Sequence, residues 1–164
     1  MLKPKVLPQE IVDLLLPRLK DEFNAYYLYR AASNWCQNVG FFKAAEFFAA
    51  ESTDELAHAK LLENYLIDWN VTPELPTIGE PKLEFSSLIE VIESAYKVEY
   101  VLYEEYEDTS AKTLKLGDVC TFNFLAQFND FQRKAVAEYS DKLNMLEGVS
   151  GSKFELLLLE KKLF

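Results

Sequence analysis

The chain has 164 residues, of which 49% are hydrophobic and 27% are charged. This length and composition predict one globular domain over residues 1–164. The 27 acidic residues outnumber the 17 basic ones and give a formal net charge of −10. Nucleic acids and anionic membranes are therefore disfavoured as partners, whereas cations are favoured. Cys36 and Cys120 suggest no disulfide framework, and no apolar run is long enough to cross a membrane, so we expect a cytoplasmic location.

Helical periodicity fills the chain between its few glycines and prolines. Pro17 either kinks the first helix or marks its start. Ser86 and Ser87 are typical of the N-terminus of the third helix, and the stretch from Ser152 to Leu163 predicts a short fifth helix. Apolar positions spaced three or four residues apart define four long segments: Ile11 to Cys36, Phe41 to Trp69, Leu88 to Tyr106 and Leu125 to Leu146.

The links between these segments determine how the helices pack. Residues 38–40 and 116–118 have room only to reverse the chain, so helices one and two form one hairpin and helices three and four another. The link of about residues 71–85 can extend to about 50 Å, enough to span a helix about 42 Å long. We therefore predict an all-α four-helix bundle with one long crossover, in which helices two and three run parallel.

Polar residues interrupt the apolar seam of every long helix. Unpaired carboxylates in an apolar interior cost several kcal/mol each, so a group of them requires a counter-charge, which a metal ion can supply. The interruptions are Glu22 in the first helix, Glu51, Glu55 and His58 in the second, Glu99 in the third and Gln132 in the fourth.

The sequence spacing of these residues predicts whether they lie at the same height in the bundle. Glu22 and Glu55 are 33 residues apart, and so are Glu99 and Gln132. Each pair is centred on the turn of its own hairpin, which puts its two members at the same height. Docking the hairpins then places all four residues in one layer, with His58 on the same face as Glu55. The chain thus has the pattern of a weak internal duplication.

The duplication is unequal, because Ala135 stands where the second hairpin would repeat His58. Carboxylate-rich coordination with one imidazole suits iron(II) that reacts with oxygen. It suits structural zinc poorly, since no thiolate joins it. We predict two unequal metal positions, the first held by Glu22, Glu55 and His58, and the second by Glu55 as a bridge, Glu99 and Gln132.

Two further residues have alternative interpretations. Tyr29 lies seven residues after Glu22 on the same stripe, so it either packs in the core or hydrogen-bonds a ligand and donates an electron during oxygen reduction. Glu51 lies one turn before Glu55. It is a candidate ligand of a third metal site or a carboxylate on the entry route, whereas a solvated helix face is the alternative for Glu22, Glu55 and Glu99.

Four segments carry a resemblance that covers about residues 2–160. They are Glu22 to Tyr29, Glu51 to Ala59, Tyr96 to Glu99 and Thr121 to Leu125, and they resemble the non-haem ferritins of bacteria. The resemblance implies a ferritin-like bundle with a short C-terminal fifth helix. It further implies a ferroxidase that oxidises two iron(II) ions per subunit with O2 or peroxide, within a homo-oligomeric shell of 24 subunits that stores ferric mineral. By the same resemblance, Glu22, Glu55 and His58 match the first iron ligands, Glu55 and Glu99 the second, Gln132 the outer glutamine and Tyr29 the tyrosine beside the centre.

The chain departs from this family pattern at several positions. Ala135 replaces a glutamate of many bacterial ferritins, so the centre resembles that of animal heavy chains. Phe131 and Lys134 occupy positions where bacterial ferritins carry acids of a third iron site. Further departures lie at the mineral-nucleating and threefold-pore positions of animal ferritins, namely Ala57, Lys60, Phe122 and Leu125.

Other classes of protein fit less well. A bacterioferritin or a rubrerythrin-like protein needs a second Glu-x-x-His, which a chain with one histidine does not have. Haem held by methionine is not expected either, since only Met1 and Met145 exist. A di-iron oxidase acting on an organic substrate or peroxide is one alternative. A metal-free helical interaction module is another, and it requires Glu22, Glu55 and Glu99 to face solvent.

Overall fold

The computed structural model describes residues 1–164 and contains five α-helices. No strand is present, so the predicted all-α class is confirmed. None of the helices combines the length and apolar character needed to cross a membrane. In chain order the helices are α1 (Gln9–Val39), α2 (Phe42–Asp68), α3 (Leu88–Lys115), α4 (Val119–Met145) and α5 (Lys153–Leu163).

Local sequence signals explain where these helices begin and end. Gly40 closes α1 with a left-handed φ of 92° and donates its N–H to the Cys36 carbonyl, a conformation that favours glycine. Ser87 caps α3, as predicted, by accepting a hydrogen bond from the Glu90 N–H. Asp118 caps α4 in the same way. Pro17 lies inside α1, so it does not mark the start of that helix.

The crossover between α2 and α3 runs the length of the bundle. At one end the Leu7 N–H donates to the Trp69 carbonyl, which places the end of α2 beside the start of α1. At the other end the rings of Phe85 and Trp35 pack edge to face with centroids 5.6 Å apart, which places the start of α3 beside the end of α1. Helices α2 and α3 therefore run parallel, as predicted.

The apolar core divides into two clusters. Phe48 and Ile92 are fully buried in the first cluster, which occupies the end of the bundle near the α1–α2 turn. Leu62 and Leu125 are fully buried in the second, at the end where α2 finishes and α4 begins. A set of buried polar side chains lies between the two clusters and is described below.

Helix α5 packs on the α1–α2 turn. Leu156 and Leu163 are buried there, and the Glu160 carboxylate accepts a hydrogen bond from the Ala44 N–H at 3.0 Å. The first N–H groups of a helix have no partner within it, and Phe41 offers α2 no side-chain cap. Glu160 therefore supplies from a distant segment the cap that α2 does not have locally.

Replacing Glu160 with alanine is expected to destabilise the fold by about 1–3 kcal/mol, because the buried Ala44 N–H loses its acceptor. Chemical denaturation followed by circular dichroism measures the effect. Lys161→Ala is the control, since Lys161 is an exposed neighbour on the same helix and its change should stay within about 0.5 kcal/mol. Equal denaturation midpoints for the two variants would show that Glu160 does not fasten α5 to α2.

Candidate metal centre

Each long helix contributes one polar residue to the region between the two apolar clusters. These are Glu22 from α1, Glu55 from α2, Glu99 from α3 and Gln132 from α4, and none is more than 4% exposed. His58 lies one turn after Glu55, with its side chain 17% exposed. The structure thus brings together the five residues that the spacing predicted to share a layer. Their burial is contrary to the interaction-module alternative, which required the acids to face solvent.

Three of these residues form a compact ligand set. Glu22, Glu55 and His58 each offer one donor atom, and these atoms lie within 4.8 Å of one another. His58 Nδ1 is 3.2 Å from Glu55 Oε2 and 3.6 Å from Glu22 Oε2. Glu22 Oε2 is buried and has no hydrogen-bond partner. An orphaned carboxylate oxygen beside an imidazole nitrogen fits a divalent cation, which would satisfy both.

Glu99 and Gln132 form the other half of the layer. In the amide orientation that satisfies both sides of the contact, Gln132 Nε2 donates to Glu99 Oε2 at 2.7 Å and to the Glu99 carbonyl at 3.3 Å. The Tyr29 hydroxyl donates to Glu99 Oε1. Glu99 therefore has both oxygens hydrogen-bonded, in contrast to Glu22. The inequality of the two metal positions stays a prediction.

Burial and mutual repulsion raise the pKa values of the acids in the layer. Burial first, and then the nearby charge of Glu22, raise the pKa of Glu99 to about 8 despite the lowering effect of the Tyr29 hydrogen bond. Burial, followed by the charges of Glu22 and Glu99, also raises the pKa of Glu55 well above its usual range. Bound cations would reverse this by favouring the ionised carboxylates, so metal binding should release protons.

The metal-free protein is expected to lose stability as the pH rises from about 5 to about 8. Burial raises the folded-state pKa of Glu99 to about 8 and that of Glu51 to about 7, both above their ordinary value of 4.5. Their stabilising contribution is complete below pH 4.5 and disappears as the pH rises through the folded-state values.

Thermal unfolding of the metal-free protein at three pH values in this range tests the effect, since one kcal/mol shifts the midpoint by about 3 °C in a chain of this size. Glu99→Gln should flatten the profile. Glu80→Gln, at an exposed position in the crossover, should leave the profile as it is in the parent. A midpoint that rises towards pH 8 in the parent would contradict the assigned direction of the shifts.

Two buried tyrosines contact the acids of the layer. Tyr29 belongs to the first apolar cluster, where it stacks on Phe48 with ring centroids 6.0 Å apart. Its contact with Glu99 favours the predicted ligand-bonding role over simple packing. Tyr106 belongs to the second cluster, and its hydroxyl donates to Glu22 Oε1. The sequence analysis includes Tyr106 only as an apolar position of the third helix and not at the metal centre, although its seven-residue spacing from Glu99 repeats that of Tyr29 from Glu22.

Aromatic rings also enclose His58. Phe131 stacks on the imidazole with centroids 4.6 Å apart and an interplanar angle of 9°, and Phe128 packs edge to face at 6.1 Å. The stack fixes the plane of the imidazole ring. At this position, where the resembled bacterial ferritins carry an acid, the chain thus covers His58 with an apolar ring.

Glu51 lies apart from the ligand set. It is half-buried and accepts a hydrogen bond from the Tyr139 hydroxyl at 3.2 Å. Burial and the nearby charge of Glu138 raise its pKa to about 7. The structure does not place Glu51 among the three residues whose donor atoms converge, so a metal-binding role for it stays a prediction.

Arg18 is the residue in the α1 seam that the sequence pattern did not explain. It is 5% exposed, and its guanidinium pairs with Glu105 at 2.6 Å and Asp21 at 2.8 Å. Thr109 accepts a further hydrogen bond from it. A buried arginine is tolerated when partners satisfy its charge, and here they come from α3 as well as α1.

The other departures from the family pattern lie outside the layer. Lys134 pairs with Asp130 at 2.7 Å, and Lys60 pairs with Glu63 at 2.9 Å. Ala57 is exposed on α2. None of these side chains adds a carboxylate to the residues around His58.

A four-helix bundle with one long crossover and a carboxylate–histidine group at its centre defines a class of metal-binding helical proteins. Comparison with known proteins is more specific. Residues 12–149 match the family model described as the ferritin-like domain. Over 161 residues the chain is 32% identical to a probable bacterial non-heme ferritin-like protein of Haemophilus influenzae, covering 96% of each chain. The chain therefore belongs to the ferritin family, and the resemblance seen in the sequence is confirmed.

Other relatives agree with this assignment. The bacterial non-heme ferritin of Escherichia coli O6:H1 is 31% identical over 166 residues, covering 99% of this chain and 96% of the relative. An open-pore ferritin of the archaeon Archaeoglobus fulgidus has the same fold, with a TM-score of 0.90 at 22% identity over 96% of this chain and 97% of the other. Membership of this family supports a role in iron storage.

Proposed function

We propose that this protein oxidises iron(II) with O2 at a two-iron centre within each subunit and stores the ferric product in an oligomeric shell. The observation that carries the proposal is the convergence of Glu22, Glu55 and His58, with one buried carboxylate oxygen that accepts no hydrogen bond from the protein. A buried charge without a partner is costly, so the site is built for a cation that arrives later. Iron is the substrate and cargo of this site.

Each residue of the layer has a distinct role. Glu22 and His58 hold the first iron, and Glu55, which lies beside both, bridges to the second. Glu99 holds the second iron, with Gln132 at its edge. Two iron(II) ions together give two electrons, which with two protons reduce one O2 to hydrogen peroxide. The two metals must lie within a few ångströms for this transfer, as in other two-metal sites.

A closed shell of 24 subunits accounts for the charge and the exposed apolar surface. Each chain carries a net charge of −10, which is tolerated in a shell when much of it faces a cavity filled with cations. On α5, Phe154 is 72% exposed and Leu158 is 66% exposed. Neighbouring subunits would cover these side chains.

Native mass measured together with iron content after aerobic loading with iron(II) tests the proposal. We expect a large closed assembly that retains thousands of irons. A large assembly that retains only about two irons per subunit would identify a di-iron oxidase without storage. A monomer or simple dimer that binds no iron would overturn the proposal and return the chain to the interaction-module alternative.

A further inference from the structure

Tyr106 has the geometry of a residue built into the metal centre. Its side chain is fully buried, and its hydroxyl donates to Glu22 Oε1. Phe128 stacks on its ring with centroids 5.0 Å apart at 13°, and the Arg18 guanidinium lies 5.9 Å from the ring centroid on a face. The ring therefore has little freedom to turn its hydroxyl away from Glu22.

The two buried tyrosines are related by the internal duplication of the chain. Tyr29 follows Glu22 by seven residues in α1, and Tyr106 follows Glu99 by seven residues in α3. Each hydroxyl donates to the acid of the other helix, Tyr29 to Glu99 and Tyr106 to Glu22. Because α1 and α3 run antiparallel, the two tyrosines approach the layer from opposite apolar clusters.

Tyr106 also determines which oxygen of Glu22 is free. The hydroxyl occupies Oε1, whereas Oε2 has no hydrogen-bond partner and lies 3.6 Å from His58 Nδ1. A carboxylate hydrogen-bonded through one oxygen presents the other to a metal, and such outer partners fix the orientation of the ligand. Tyr29 makes the corresponding contact with Glu99 Oε1.

We propose that Tyr106 is a positioning residue for the first metal position, holding Glu22 by Oε1 so that Oε2 faces His58 and the incoming metal. Tyr29 is its counterpart at the second position, acting through Glu99. The inference rests on the proposed function. It adds that each tyrosine orients a metal ligand on the other helix: Tyr106 of α3 orients Glu22 of α1, and Tyr29 of α1 orients Glu99 of α3. Loss of such an outer partner lowers metal affinity by about 10–100-fold.

Titration with Co(II) in the absence of O2 tests this assignment independently of oxidation. The variants are Tyr106→Phe and Tyr29→Phe, which keep the ring and remove only the hydroxyl. Tyr65→Phe is the control, because Tyr65 is a buried tyrosine of α2 whose hydroxyl bonds Thr121 at 2.8 Å, away from the layer. Visible absorption reports the coordination of bound Co(II), and anomalous diffraction from crystals at one Co(II) per subunit reports the occupancy of each position.

We expect Tyr106→Phe to lower the affinity of the first position about tenfold or more and to shift Co(II) towards the second. Tyr29→Phe should weaken the second position instead, and Tyr65→Phe should bind as the parent does. A second measurement combines Tyr106→Phe with Glu22→Gln, where the tyrosine change should have no further effect on Co(II) binding.

Two results would overturn the inference while leaving the proposed function intact. One is parent-like Co(II) affinity at both positions in Tyr106→Phe. The other is an equal loss at both positions, which would indicate a general effect on packing. A parent protein that binds no Co(II) at this layer would instead overturn the proposed function itself.

Discussion

Glu99→Ala is expected to slow rapid iron(II) oxidation by about tenfold or more while one metal remains bound in each subunit. Gln132 and Tyr29 hold Glu99 in place, and Glu99 is the proposed ligand of the second iron, so its loss should remove that position. Glu22, Glu55 and His58 still converge and keep the first. Stopped-flow absorbance measures the oxidation rate, and anaerobic calorimetry with iron(II) counts the metals.

His58→Ala should differ from Glu99→Ala by lowering both the oxidation rate and the affinity of the first position. Among the three converging residues the imidazole is the only nitrogen ligand, and two carboxylates alone do not complete that site. Asp54→Ala is the matched control, because Asp54 is an exposed acid on α2 beside Glu55. If Glu99→Ala oxidised iron(II) at the parent rate, and His58→Ala changed neither the oxidation rate nor the metal affinity, paired-iron oxidation at this layer would be ruled out.

Leu158→Glu is expected to prevent closure of the shell, so that the native mass falls to that of small subassemblies. Leu158 is 66% exposed on α5, and a shell that covers it would have to bury a glutamate at every symmetry-related contact. Oxidation at the intact centre within each subunit should continue, whereas ferric product should precipitate because no cavity retains it. Native mass spectrometry and iron retention on gel filtration measure the two effects.

Lys20→Glu is the control for this change, since Lys20 is exposed on α1, away from the Phe154 and Leu158 stripe of α5, and is already charged. We expect Lys20→Glu to assemble and retain iron as the parent does. A Leu158→Glu protein of parent mass with a full iron load would show that α5 does not take part in assembly.

Much of the fold could be predicted because the chain has few residues that break a helix. Gly40 and Gly117 both adopt left-handed φ angles at the hairpin turns, where the sequence placed them. The equal 33-residue spacing of the two polar pairs then followed from the geometry of hairpins. Glu22, Glu55 and Glu99 are consequently buried together, as expected.

Other features depend on contacts between distant parts of the chain. Arg18 is buried because Glu105, 87 residues away, reaches it from α3, and no periodicity in α1 signals that partner. The stacking of Phe131 on His58 likewise depends on how the two hairpins dock. Tyr106 differs, because its spacing from Glu99 was visible in the sequence but resembled ordinary core periodicity.

The polar layer between the two apolar clusters also restricts how the hairpins align. If the α3–α4 hairpin slid by one helical turn against the α1–α2 hairpin, Glu99 would leave the Tyr29 hydroxyl and enter an apolar cluster. Glu22 would lose Tyr106 in the same movement. Each displaced carboxylate would then be buried without a partner, at a cost of several kcal/mol, whereas Leu and Phe side chains repack with less penalty. The polar layer therefore favours a single alignment of the two hairpins in the metal-free fold.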